Sequence, residues 1–176
     1  MEILTAEQMN AIDRDSNERG VPVRVLMESA GEAVAWFCRE RYPGLSVVVL
    51  CGKGNNGGDG AVAARLLAEL QTPVKLVLLG SMEETKGDAA SAFAVAKATE
   101  GLEFIEAKDE WALSEAISDA DLIVDAVVGT GFKPPLRGLA VPLPPPSPAT
   151  TSPWPAPRRD RRPRRSPTRR CPPCPR

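Results

Sequence analysis

Apolar residues first recur at helical spacing and then, from about residue 46, gather into short runs separated by longer mixed stretches. Thr5-Ala6-Glu7-Gln8 has the form of a capping box, with Thr5 accepting from the N3 amide and Gln8 reaching back. It predicts a helix that stops near Gly20 and sets Met9, Ile12 and Asp13 on one face. A second helix is expected over roughly 23–41, with Val25, Leu26, Ser29, Ala33 and Phe37 at helical spacing. Within it Ser29, Ala30 and Gly31 are small enough for another element to come close, and Tyr42-Pro43-Gly44 ends it. Four aliphatic runs follow, at 46–51 (SVVVLC), 74–79 (VKLVLL), 102–106 (LEFIE) and 121–128 (DLIVDAVV), alternating with helical stretches at about 59–70, 86–98 and 109–117. A βαβαβαβ alternation implies an α/β fold with a parallel sheet, helices on both faces and right-handed crossovers. In the common strand order 3-2-1-4 the first and fourth strands are neighbours. The loops leaving Cys51 and Val128 then face each other at the topological switch point, where a ligand is expected.

Both loops carry residues suited to chemistry. CGKGNNGGDG (51–60) lies between a strand and a helix; its glycines let backbone approach a ligand, and the helix start offers amides and a positive dipole end to a phosphate. The competing reading is a tight βα turn, which needs fewer glycines and no Asn-Asn. Because Lys53 precedes the asparagines and no Lys-Ser/Thr follows, the run is not read as a dinucleotide or phosphate-loop fingerprint. In the second loop, DAVVGTGFKPPLRG (125–138), Asp125 is an acid inside an apolar strand. A buried carboxylate needs a cation, an Arg or Lys, or several amides, so Asp125 is either a ligand to a hard ion shared with Asn56 or a structural hydrogen-bonding residue. Lys133 and Arg137 are either phosphate contacts or solvated.

Composition then narrows the chemistry. The chain has no histidine, which excludes Ser-His-Asp and Cys-His triads, H-E-x-x-H sites and Cys₂His₂ fingers. Proton transfer falls to carboxylates, Lys, Tyr, Cys or water, and a bound metal to oxygen or thiolate ligands. Charge divides the chain in two: residues 1–140 carry 13 basic against 22 acidic side chains, a net of −9, and 141–176 carry nine Arg against Asp160, a net of +8. That second segment holds 13 of the 18 prolines and no hydrophobic period, so it is expected to be a disordered Pro/Arg-rich tail. Its bias is also that of GC-rich coding DNA read in a shifted frame. Cys171 and Cys174 form a C-x-x-C without a second pair, which argues against structural zinc. No apolar run is long enough for a membrane span and the start lacks a basic leader, so the sequence reads as cytoplasmic.

Four segments in order, LTAEQM (4–9), LMESAG (26–31), GNNGGDG (54–60) and DAVVGTGF (125–132), resemble the NAD(P)H-hydrate epimerase family, the YjeF N-terminal domain, over about residues 3–140. The resemblance implies a domain at 1–140 with a Rossmann-like αβα sandwich and a mostly parallel sheet. It implies interconversion of the R and S forms of NADHX and NADPHX, nicotinamide cofactors hydrated at C6. It also implies one bound potassium ion (K+) and coupling to a dehydratase that consumes the S epimer, whether or not fused as a domain outside this sequence. A second copy of the chain, as a homodimer, is a further partner to consider, and a membrane is not. Carried over residue by residue, Asn55, Asn56, Gly57, Gly58 and Asp59 match one hydrate-binding loop; Gly129, Thr130, Gly131, Phe132, Lys133, Pro134 and Pro135 match the other. Asn56 and Asp125 match the potassium ligands. The family's pattern continues to a strand ending in V-D-x-P-S-G, which supplies its acid/base aspartate. That segment does not occur here, so the sheet is expected to be truncated after the fourth strand and the catalytic residue is unassigned; Asp160, in RRDRR, lacks that context.

Three functions remain to be separated. An isomerase would hold the ligand on the two loops and use a carboxylate to move the proton, with Asp59 a substitute for the missing aspartate. A binding module would keep the nucleotide and ion cradle without chemistry. Nucleic-acid binding through the Arg-rich tail ranks last, because Trp154 is the tail's one aromatic and makes no stacking platform.

Overall fold

The computed structural model describes residues 4–131. They fall in the first of the two units into which the chain divides, Met1–Leu143 and Pro144–Arg176. The expectations for Phe132, Lys133, Pro134, Pro135, Arg137, Asp160, Cys171 and Cys174, and for the tail from 141, lie outside the described residues.

The capping box is formed: Thr5 Oγ1 accepts from Gln8 N at 3.3 Å and Gln8 Oε1 accepts from Thr5 N at 2.8 Å, opening helix α1 (Ala6–Glu18). Helix α2 (Val23–Arg41) follows Pro22 and buries Met27, Gly31, Ala35 and Cys38, a stripe at spacings of three and four. The remaining elements are β1 (Val47–Cys51), α3 (Asn55–Glu69), β2 (Val74–Leu79), a 3₁₀ turn at Met82–Glu84, α4 (Gly87–Lys97), β3 (Leu102–Ala107), α5 (Glu110–Ile117) and β4 (Leu122–Ala126). All pairings are parallel and the strand order is β3-β2-β1-β4, as the alternation predicts.

Strand alternation builds two cores. Val47, Val49 and Cys51 of β1, with Leu76, Leu78 and Ala126, pack against Ala35 and Cys38 of α2, Ala61, Ala64 and Leu67 of α3, and Phe93 of α4. Val48, Val77, Leu79 and Ala107, with Leu50 beside them, pack against Leu113, Ala116 and Ile117 of α5. The result is a Rossmann-like αβα sandwich with β1 at its centre. Polar contacts tie the N-terminal edge of the sheet: Asp121 Oδ2 accepts from Ser46 N at 3.0 Å and Ser46 Oγ at 2.8 Å, and Lys75 Nζ lies 2.8 Å from Asp119 Oδ1.

Helix α1 contributes nothing to either core. None of its residues is buried, and Met9 and Ile12 are 38% and 48% exposed, so its patterned face covers the sandwich only lightly. No helix among the described residues is long and apolar enough to cross a membrane.

Candidate functional site

Helix α3 begins at Asn55, with Gly54 as N-cap, and not at Asp59 as the pattern suggests; the stretch expected to be a loop is the first turn of the helix. Close packing explains why glycine is needed there. A Cβ on Gly57 would collide with the Gly52 carbonyl oxygen, one on Gly60 would lie 2.6 Å from Ala126 Cβ and 2.9 Å from Cys51 Sγ, and one on Gly58 would lie 2.7 Å from Met27 Cε. Gly52 is locked in turn: its N–H donates to Ala126 O at 3.1 Å, and a Cβ would collide with the Val127 carbonyl. Gly54 differs, since a Cβ there meets nothing within 4 Å.

This geometry corrects the reading of the motif. Gly52-Lys-Gly54-Asn-Asn-Gly57 does have the G-x-G-x-x-G spacing, and it stands between a strand and a helix, the context that gives such a fingerprint meaning. The three glycines also take the three distinct places: the turn at the strand end, the open approach for a ligand, and the tight helix–strand contact. The amides of Asn55, Asn56 and Gly57 lie in the unpaired first turn, whereas Gly58 N donates to Gly54 O at 3.0 Å and is spent within the helix.

The second loop crosses this helix start. A Cβ on Gly129 would lie 3.0 Å from Asn56 Cβ and 3.4 Å from its Oδ1, so Gly129 rests directly against Asn56. Thr130 and Gly131 continue outward, both exposed, and Thr130 Oγ1 lies 3.4 Å from Asn10 Oδ1 of α1. Asp125 departs from expectation. It is exposed, and its Oδ1 accepts from Val127 N at 3.0 Å. The reason is its place: it pairs with Leu50 one residue before β4 ends, on the α5 side, and among the described residues no strand pairs with the other edge of β4. Asn56 and Asp125 therefore approach the C-terminal edge of the sheet from opposite faces.

Asp59, on the first turns of α3, is half-buried, and its carboxyl is pushed up to about 6, first by desolvation and then by the negative charge of Asp13 on α1. Asp13 shares the face of α1 that carries Met9 and Ile12, and neither it nor Asn10 stands in a sequence motif that signals a role. Cys51, between the two loops, is fully buried and its thiol is pushed far above the ordinary range by desolvation, which leaves it inert. Lys53 turns away from the asparagines, its Nζ lying 2.7 Å from Glu84 Oε1. At the other end of the sheet a cavity of about 230 Å³, lined by Cys38, Tyr42, Val47, Leu67, Gln71 and Pro73 among others, stands apart from this crevice.

Comparison with known proteins agrees with the geometry. The family model described as YjeF-related protein N-terminus matches residues 23–143. The chain is 38% identical over 136 residues to the NAD(P)H-hydrate epimerase of Rhodopirellula baltica, covering 77% of this chain and 55% of that protein. It is 36% identical over 142 residues to the bifunctional NAD(P)H-hydrate repair enzyme Nnr of Thermofilum pendens, covering 79% of this chain and 27% of the relative. The chain thus spans about half the length of the first of these curated relatives and about a quarter of the second. The crystal structure of yeast ynu0, YNL200c, superposes with a TM-score of 0.68 at 27% identity, over 78% of this chain and 60% of that one.

Proposed function

The chain belongs to the YjeF-related protein N-terminus family, and from that premise we propose that it interconverts the R and S forms of NADHX and NADPHX at the crevice between the ends of β1 and β4. The observation that carries the reading is a dinucleotide-type strand–turn–helix whose first helical turns hold a half-buried carboxylate, Asp59, in a chain without histidine. The open amides of Asn55, Asn56 and Gly57 and the dipole of α3 would take the pyrophosphate, with Gly54 leaving room for its approach. Gly129, Thr130 and Gly131 would line the opposite wall, and Phe132, Lys133, Pro134 and Pro135 are the other ligand contacts that the family pattern assigns to this loop.

The chemistry asked of the site is small. The C6 hydroxyl gives up its proton as the N1–C6 bond opens to an aldehyde, N1 takes a proton, and closure on the other face of the carbonyl carbon reverses both transfers. A carboxylate raised to about 6 would accept and return such a proton at neutral pH, and this is the work we assign to Asp59.

We assign a potassium ion to the strand ends, where Asn56 and Asp125 would have to meet it from the two faces of the sheet. Asn56 and Asp125 offer an amide and a carboxylate oxygen, and Asp125 is exposed with one oxygen engaged by Val127 N. When bound, the ion would screen the ligand's phosphate charge and fix the two loops. Asp125→Ala should therefore cost the fold only about 1 kcal/mol, the worth of one hydrogen bond. It should weaken the potassium dependence of nucleotide affinity by roughly tenfold, the loss of one charged ligand. Calorimetric titration at several potassium concentrations reads this, and an unchanged dependence would leave Asp125 as a turn-forming residue.

The decisive experiment supplies R-NADPHX to the purified chain, with a separate dehydratase that consumes the S form as reporter. Consumption at a rate set by the chain supports the epimerase. Retained nucleotide binding with no consumption favours the binding module instead. The bifunctional relatives support functional coupling to a dehydratase, and we propose the cytoplasm as the place where the two act.

A further inference from the structure

Beside the crevice, an ion pair joins the loops above β1 and β2 and has no part in the proton transfer just described. Lys53 Nζ lies 2.7 Å from Glu84 Oε1, and Glu84 Oε2 accepts from Ser81 N at 3.0 Å, closing the 3₁₀ turn. The side chains are 45% and 48% exposed, so both charged groups reach solvent on the flank of the site. Gly80 leaves room for the pair. Its φ of +131° suits glycine, and a Cβ there would lie 2.6 Å from Glu84 Oε2 and 3.1 Å from Lys53 Cδ. The hydrogen bond from Lys53 holds the Glu84 carboxyl below the usual range, with Ser81 N and the charge of Lys108 on the β3 loop acting in the same direction.

In a G-x-G-x-x-G strand–turn–helix the pyrophosphate sits at the helix N-terminus and the adenosine ribose reaches the end of the next strand. An acid there accepts from the ribose 2′-hydroxyl, and a cation there takes a 2′-phosphate. The next strand here is β2, and the turn just beyond its end supplies Glu84 with Lys53 already bound to it.

We infer that the Lys53–Glu84 pair selects at the ribose 2′ position, Glu84 accepting from the hydroxyl of an NADHX-type ligand and Lys53 leaving Glu84 for the 2′-phosphate of an NADPHX-type ligand. The assignment rests on the dinucleotide reading above. Both forms are accepted because each finds one member of the pair and is repelled or ignored by the other. Removing one member then tips the preference one way, and removing the other tips it the opposite way.

The test titrates ADP-ribose and its 2′-phosphorylated analogue into the full chain and into Lys53→Gln and Glu84→Gln, reading the ratio of the two affinities. Both positions are half exposed, so thermal melting should confirm that the variants fold like the parent. Lys53→Gln should shift the ratio about tenfold toward ADP-ribose, and Glu84→Gln about tenfold toward the phosphorylated analogue, as expected for gain or loss of one charge-assisted contact. A ratio unchanged in both variants, or moved in the same direction by both, overturns the assignment while leaving the nucleotide site intact. Failure of the parent chain to bind either compound overturns the assignment together with the reading beneath it.

Discussion

Replacing Asp59 with asparagine should lower epimerisation by about 10² to 10⁴-fold, the usual loss when a positioned proton-transfer group is removed, while leaving nucleotide affinity nearly unchanged. The same substitution should stabilise the fold at neutral pH. The folded-state value of about 6 lies above the ordinary carboxyl value of 3.8, so the folded chain binds the proton more tightly than the unfolded chain. A raised carboxyl contributes stability that is fully present below the ordinary value and is lost as pH rises through the folded value. At pH 7 the native carboxylate is therefore a net cost, on the order of 1–2 kcal/mol once solvent screening at a partly exposed group is allowed for. Denaturant titrations at pH 4 and pH 7 should show the two chains closer in stability at the lower pH and Asp59→Asn ahead at the higher. The kcat/KM profile of the parent should rise through a limb near 6, and that limb should be absent from Asp59→Asn. Asp13→Asn should move the limb to lower pH without removing it, because Asp13 is the second cause of the shift and desolvation remains. Activity in Asp59→Asn within about threefold of the parent would take Asp59 out of the proton path.

The fold was legible where period and burial act together. Val47–Cys51 and Val74–Leu79 are near-continuous aliphatic runs because central parallel strands are covered on both faces, and the intervening helices forced parallel pairing. The neighbouring of β1 and β4 followed from topology alone. Local composition misled at Asn55–Asp59. Glycine and asparagine disfavour helix, yet the segment is helical because tertiary contacts with Gly52, Met27 and Ala126 override propensity, and glycine is what allows those contacts. The approach of Asp13 to Asp59, and of Asn10 to Thr130, spans 46 and 120 positions respectively. Nothing local encodes such a meeting; a polar Asn10 and Asp13 beside Met9 and Ile12 on an amphipathic helix was the available signal. Asp125 shows the opposite failure. An acid in an apolar run suggests burial, but Asp125 lies on the α5 face near the end of β4, where it is exposed, while Ala126 after it is buried on the opposite face.

The glycines divide by what faces them, and the division makes a prediction about which property each substitution removes. Gly57→Ala places a Cβ against the carbonyl oxygen of Gly52, an atom fixed by the bond from Gly52 N to Ala126 O and by the Val127 carbonyl on its other side. Main chain held from two directions cannot relax as a side chain would, so the start of α3 must shift away from β1. The expected loss is roughly 3 kcal/mol or more, at the upper end of overpacking costs, with ligand binding lost as a consequence of the displaced helix. Gly54→Val tests the other role. A Cβ there meets no atom of the described residues within 4 Å and the backbone, at φ −99° and ψ −168°, is extended, so the fold should change by under about 1 kcal/mol, the cost of a poorer N-cap. Nucleotide affinity should nevertheless fall by about tenfold or more, because the branched side chain stands where the ligand's phosphates come down onto the helix. Denaturation and calorimetric titration of the two variants side by side separate the effects. If Gly54→Val binds ADP-ribose as the parent does, the helix start is not the phosphate site. If Gly57→Ala is as stable as the parent, the first turn of α3 does not rest on Gly52 as described.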